Sequence, residues 1–200
     1  VSESRARFIV FEGIDGAGTT TQAALLTRWL RGQGHPVLTT AEPSTGPIGT
    51  TLRQALGRRL VGADGAPLDP KAIALLFAAD RADHLRGEIE PALAAGTWVV
   101  CDRYVHSSLA YQGVECDPAW VAELNAPMRS ADLVLHLEVS AEVAARRRSA
   151  RDTRPEIYEV DDFQRRVVEL YEQSPRWRPA DPLVVIDGAA EGWLVAGALA

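Results

Sequence analysis

Between Phe8 and Gln22 the chain reads FIVFEGIDGAGTTTQ, an apolar run that stops at a glycine-rich turn and restarts as an amphipathic stretch. A buried strand, a tight loop and a helix in immediate succession leave few folds open. The loop nearly matches GxxxxGK[ST], where glycines let successive backbone N–H groups converge on phosphate oxygens and the helix N-terminus adds partial positive charge. Gly13, Gly16 and Gly18 meet the backbone requirement, and Thr20 stands at the Ser/Thr position, whose hydroxyl can bind Mg²⁺. The lysine position holds Thr19. On this motif alone a plain tight turn competes with a phosphate site, but the flanking strand and helix are the setting a phosphate site needs.

The same alternation continues downstream. Apolar, β-branched runs recur at Arg7 to Phe11, Val37 to Thr40, Trp98 to Cys101, Leu133 to Val139 and Leu183 to Ile186, separated by segments of helical period. Continuous apolar strands with helical crossovers predict an α/β fold with a parallel sheet covered on both faces. Helices are expected over Gly18 to Arg31, Ile48 to Leu60, Lys71 to Ala95 with a kink or restart at Pro91, Val105 to Gln112, Pro118 to Met128, Ala141 to Ser149, Asp161 to Glu172 and Glu191 to Leu199. A formal net charge of -6 argues against a nucleic-acid-coating surface, so phosphate handling must be local. Two cysteines, one of them inside an apolar run, point to reduced thiols and a cytoplasmic setting. No stretch has the roughly 20 apolar residues that span a bilayer, so no membrane partner is expected.

Loss of the loop lysine removes a point charge from the transferring phosphates, and removal of one preorganised donor costs about 10² to 10³ in rate. Arginines can compensate. Arg147, Arg151 and Arg154, in the polar, arginine-dense segment from Arg146 to Glu159, are the candidates. A second constellation, VVCDRYVHSSLAYQG, sets Asp102 and Arg103 at the carboxyl end of a strand, where open α/β sheets gather ligands. Asp102 suits Mg²⁺ held through water and Arg103 suits bidentate phosphate contact, whereas the bland alternative is an Asp-Arg pair capping the next helix.

Together these residues resemble the thymidylate kinase family of P-loop nucleoside monophosphate kinases. FEGIDGAGTTTQ is similar to its FEGIDGAGKTTQ loop, CDRYVHSSLAYQG to its DRY…S…AYQ segment, and LLFAADRADH to its LLFAADRAQH helix, in the family's order along nearly the whole chain. The resemblance implies a five-stranded parallel sheet flanked by helices, transfer of a phosphoryl group from MgATP to dTMP, and a homodimer. It implies that Gly13, Ile14, Asp15, Gly16, Ala17, Gly18, Thr19, Thr20 and Thr21 hold ATP, with Thr20 and Asp102 serving Mg²⁺. On the acceptor side it implies Phe77 stacked on thymine, Arg81 on the base, Tyr111 beneath the deoxyribose, Ser108 and Gln112 near the base, and Arg53 on the dTMP phosphate. Asp15 would lie near the acceptor phosphate and sugar, and Arg103 would bridge the phosphates. Glu42 and Pro43 match the family's Arg-Glu-Pro segment, but Ala41 replaces its arginine. Residues from about 146 to 160 would form a mobile lid on a single kinase domain of residues 1–200, with Arg151 and Arg154 delivering charge to the reaction.

Read without the resemblance, Phe77 is a core residue on an apolar helix face, and Asp80 with Arg81 is a surface pair. The histidines show no metal or triad spacing. Two other functions stand beside the kinase: a nucleotide-binding protein impaired by Thr19, and a kinase for another deoxynucleotide or a nucleoside.

Overall fold

The computed structural model describes residues 6–149 and 161–189. Five parallel strands form one sheet in the order β2-β3-β1-β4-β5: β1 (Phe8–Glu12), β2 (Val37–Ala41), β3 (Trp98–Asp102), β4 (Leu133–Glu138) and β5 (Leu183–Asp187). Every residue of the central strand is buried, as expected where helices cover both faces of a parallel sheet. Side-chain alternation divides its apolar residues, Ile9 and Phe11 joining one core cluster and Phe8 and Val10 the other.

The connecting helices are α1 (Thr19–Gly32), α2 (Pro47–Leu56), α3 (Pro70–His84), α4 (Glu90–Ala94), α5 (Val105–Tyr111), α6 (Pro118–Asn125), α7 (Ala141–Ser149) and α8 (Asp161–Gln173). The starts of α3 and α6 are written in the sequence as Asp-Pro. In each, the aspartate side chain accepts from the backbone N–H two residues on, Lys71 or Ala119, and proline fills the first helical position. The long helix expected over Lys71 to Ala95 is interrupted by a π-helical turn at Leu85–Ile89, just before Pro91, which has no N–H for a regular ladder. The second helix stops at Leu56, four residues short of the expected Leu60, and Arg58 there has a left-handed φ of 54°. The helix expected over Glu191 to Leu199 lies outside the described residues.

After β1 the chain passes to β2 and β3 on one side of the central strand, then crosses to β4 and β5 on the other. The switch point is thus the seam between β1 and β3, where Phe11 pairs with Asp102. Ligands of open α/β sheets bind outside the carboxyl ends of such strands. The glycine loop leaves β1 there, and Arg103 leaves β3 beside it.

Candidate active site

The glycine loop wraps the entry to α1. Gly16 has a φ of 95°, and a Cβ built on it would stand 2.6 Å from the carbonyl oxygen of Ala144, so α7 packs against bare backbone. Gly18 has a φ of 99° with open space around its missing Cβ, so there glycine serves conformation and not room. No side chain caps α1 and its first turn has no acidic residue, which leaves the helix N-terminus available to an anion. Thr19 is buried, its methyl 3.4 Å from where a Gly13 Cβ would be. Thr20 is exposed and donates to Asp102 Oδ2 at 2.5 Å. The other carboxylate oxygen, Asp102 Oδ1, is buried with no hydrogen-bond partner among the described residues.

Arg103 adopts a left-handed φ of 71°, unfavourable for a side chain with a Cβ. Several contacts over-determine it. Its N–H donates to Phe11 O at 2.8 Å, NH1 donates to Gly13 O at 2.9 Å, and NH2 pairs with Asp15 Oδ1 at 2.5 Å. The guanidinium also lies 5.1 Å from the centre of the Tyr111 ring. The Tyr111 hydroxyl accepts from the Asp15 N–H at 2.9 Å, and burial pushes its pKa up despite Arg103, so the phenol stays neutral. Beneath them Glu12, fully buried, accepts from Tyr104 N at 2.9 Å, Ser107 Oγ at 2.5 Å and Tyr171 Oη at 3.1 Å. That carboxylate ties β1 to α5 and α8 under the site.

A cleft of about 470 Å³, counting its open mouth, runs from the loop toward α3 and is lined by Asp15, Glu42, Pro43, Leu56, Phe77, Arg81, Arg103, Tyr104, Ser107, Tyr111 and Gln112. Arg81 and Asp80 are each 1% exposed, so the surface-pair alternative fails. Arg81 donates from Nε to Glu42 at 2.8 Å, from NH2 to Tyr104 O at 2.9 Å and Ser108 Oγ at 3.1 Å, and from NH1 to Asn125 Oδ1. Asp80 accepts both the N–H and the hydroxyl of Ser44, at 2.7 and 2.6 Å. Arg53 lies outside the cleft lining and donates to the carbonyls of Pro43 and Ser44, at 2.5 and 2.6 Å. Gln112 is buried and its Nε2 has no partner among the described residues.

Sequence reasoning therefore named most of the cleft, and the structure brings Asp15, Glu42, Phe77, Arg81, Arg103, Tyr111 and Gln112 to one wall-to-wall space. Ser108 stands behind it, against Arg81. From α7, Arg147 donates to Ala17 O at 3.3 Å and Gly188 O at 2.9 Å, and Arg148 donates to Asp15 O at 2.7 Å. Arg151 and Arg154 lie outside the described residues. Glu12, Ser107 and Asn125 went unnamed; only Glu12 had a local signal, as a carboxylate ending an otherwise apolar strand.

The thymidylate kinase family model matches residues 11–189. The chain is 43% identical over 196 residues to the "Thymidylate kinase" of Thermomicrobium roseum, covering 90% of each chain. It is 40% identical over 188 residues to the "Probable thymidylate kinase" of Pyrococcus horikoshii, covering 92% of this chain and 91% of that one. With a parallel sheet carrying a glycine loop at its switch point, and a family match over most of its length, the chain belongs to the thymidylate kinase family.

Proposed function

We propose that this protein transfers the γ-phosphoryl group of ATP to the phosphate of dTMP, giving dTDP and ADP. The observation that carries the reading is the continuity of one cleft from a base-sized wall, Phe77 with Arg81 and Gln112, to the glycine loop through Arg103 and Asp15. Phe77 stacks on thymine. Four of the five Arg81 N–H groups already have acceptors, which leaves one on NH1 for a base carbonyl, and the unpartnered Gln112 Nε2 supplies a second donor. Tyr111 lies beneath the sugar, where a ribose hydroxyl would crowd it. Arg53, anchored on the turn after Glu42, takes the dTMP phosphate, and Ser108 fixes Arg81.

An oxygen of the dTMP phosphate attacks the γ-phosphorus in line, the bond to the bridging oxygen breaks, and its electron pair leaves with ADP. The acceptor is already anionic near neutral pH, so the site supplies positioning and charge neutralisation and no strong base. Arg103 does this between the two substrates, and Asp15 orients it. The loop amides of residues 13–21 hold the ATP phosphates. The orphaned Asp102 Oδ1 and the adjacent Thr20 hydroxyl are hard oxygen donors that fit Mg²⁺, and these two residues would hold it. When bound, Mg²⁺ would neutralise the β- and γ-phosphate oxygens. Arg151 and Arg154, in the proposed lid over residues 146–160, would add charge at the γ-phosphate; alanine there should cut turnover far more than ATP affinity.

A homodimer is proposed through α3, whose exposed side carries Ala79, Ala82 and Leu75, the last 50% exposed. A cytoplasmic setting fits the two free, buried cysteines. The test of function is ADP formation with MgATP and dTMP beside dUMP, dCMP, dGMP, thymidine and an acceptor-free control. dTMP-dependent turnover is expected; ATP and dTMP binding with no turnover would sink the proposal.

A further inference from the structure

The acceptor wall is braced from behind by a buried histidine that lies outside the cleft lining. His84 ends α3 with its side chain 1% exposed. Its Nδ1 faces Glu42 Oε1 at 3.3 Å, and its Nε2 faces Glu88 Oε2 at 3.0 Å and Thr40 Oγ1 at 2.8 Å. Thr40 Oγ1 also lies 3.1 Å from Glu88 Oε2, and that carboxylate oxygen, which can only accept, itself faces the ring Nε2. Both ring nitrogens thus meet acceptors. A neutral imidazole would set its own lone pair against one of them, whereas an imidazolium satisfies all. The carboxylate that receives Nδ1 is the one that holds Arg81, whose Nε and NH2 lie 2.8 and 2.7 Å from Glu42 Oε2. Pro43, next in the chain, lines the cleft.

We infer that His84 is a positioning residue for the acceptor nucleotide, an imidazolium that clamps one oxygen of Glu42 so that the other holds Arg81 on the cleft wall. The inference rests on the cleft binding dTMP. The groups that face the ring are Glu42 and Thr40 from the β2 side, Glu88 from the π turn and Asp80 from α3, with Arg81 as the like charge beyond Glu42. Burial opposes the charged ring, but the bond and attraction to Glu42, then Glu88 and Asp80, outweigh it and raise the His84 pKa above its ordinary value. The clamp is therefore present below the His84 titration and is lost as pH rises through it.

The test combines dTMP calorimetry, steady-state kinetics and ¹⁵N-histidine NMR from about pH 6 to about pH 10 on the parent, His84→Gln and Glu88→Gln. In the parent, NMR should show both His84 nitrogens protonated at neutral pH. Its dTMP Kd and KM should rise about tenfold as that signal titrates, while the ATP KM and kcat stay within about twofold. His84→Gln should bind dTMP about tenfold more weakly at low pH and show a flat profile. Glu88 is 40% exposed, so Glu88→Gln tests the same lever without stranding a deeply buried group, and should move the break to lower pH. A neutral His84 at neutral pH, a His84→Gln profile matching the parent, or an equal loss in ATP KM would overturn the inference. A parent that binds dTMP with this pH dependence but does not turn it over would sink the kinase reading and leave the role of His84 standing.

Discussion

The two ends of the cleft are built on opposite plans. At the proposed acceptor end the polar side chains are themselves core: Arg81, Asp80, Glu42 and His84 are each 5% exposed or less and every one has a protein partner. At the donor end the binding surface is backbone, the glycine loop and the uncapped start of α1, and the cations come from elsewhere, Arg103 after β3 and Arg147 and Arg148 on α7. On the proposed reading, specificity and stability are thus one network on the acceptor side, whereas on the donor side charge can be removed without opening the core.

The sharpest way to break that contrast is Arg81→Ala. Removal of one member of a buried ion pair leaves Glu42 with only His84 opposite its charge, and breaking such a pair typically costs about 3–5 kcal/mol. The expected outcome is a marked fall in the urea midpoint together with loss of dTMP binding. Arg103→Ala should fall next, with kcat/KM down about 10² to 10³. Its melting temperature should change little, because the salt bridge it loses joins groups that keep some solvent contact, 20% for Arg103 and 32% for Asp15. Equal destabilisation by the two variants would erase the distinction between the ends.

This contrast also explains what the sequence could and could not show. The donor end is contiguous in the chain, so a strand, three glycines and a helix start spelled it out, and Asp102 and Arg103 followed the next central strand by the same logic. The five strands and their parallel pairing were legible from continuous apolar runs between helical segments. The acceptor end is assembled from β2, α2, α3, α5 and α6, and its contacts reach across the sequence, as in Arg81 with Asn125, 44 residues apart. Helical period alone placed Phe77 in the core, and the common fate of neighbouring charges placed Arg81 on the surface; only the family's motif put them in a site. Of the partners of His84 only Glu88, four residues on, is local; Thr40 and Glu42 come from the end of β2 and the residue after it, about 40 residues away. The π turn was equally hidden, since Pro91 announces a defect in the ladder without fixing its form.

Thr19→Lys probes the donor end from the other direction. The threonine is buried under the loop, so it contributes shape and no charge. A lysine there would leave by the loop mouth and meet the transferring phosphates, and kcat is expected to rise about 10- to 100-fold with the dTMP KM unchanged. A fall in kcat with unchanged stability would mean that the arginines around the loop have been arranged for a site without that lysine.

Arg147→Ala has the smallest expected effect and separates those two possibilities. The guanidinium reaches three carbonyls, Ala17 at 3.3 Å, Gly188 at 2.9 Å and Ala189 at 3.5 Å, so it ties the glycine loop to the turn after β5. Two of these contacts are long and the residue is half-buried, so each contributes little on its own. If Arg147 only spaces the two loops, its loss should raise the ATP KM about 3- to 10-fold and leave kcat within about twofold. If it supplies the charge that Thr19 lacks, kcat itself should drop, and Thr19→Lys should restore it in the Arg147→Ala background by more than it gains in the parent. That excess is the coupling energy of a double-mutant cycle, and additivity between the two sites would assign Arg147 to spacing alone.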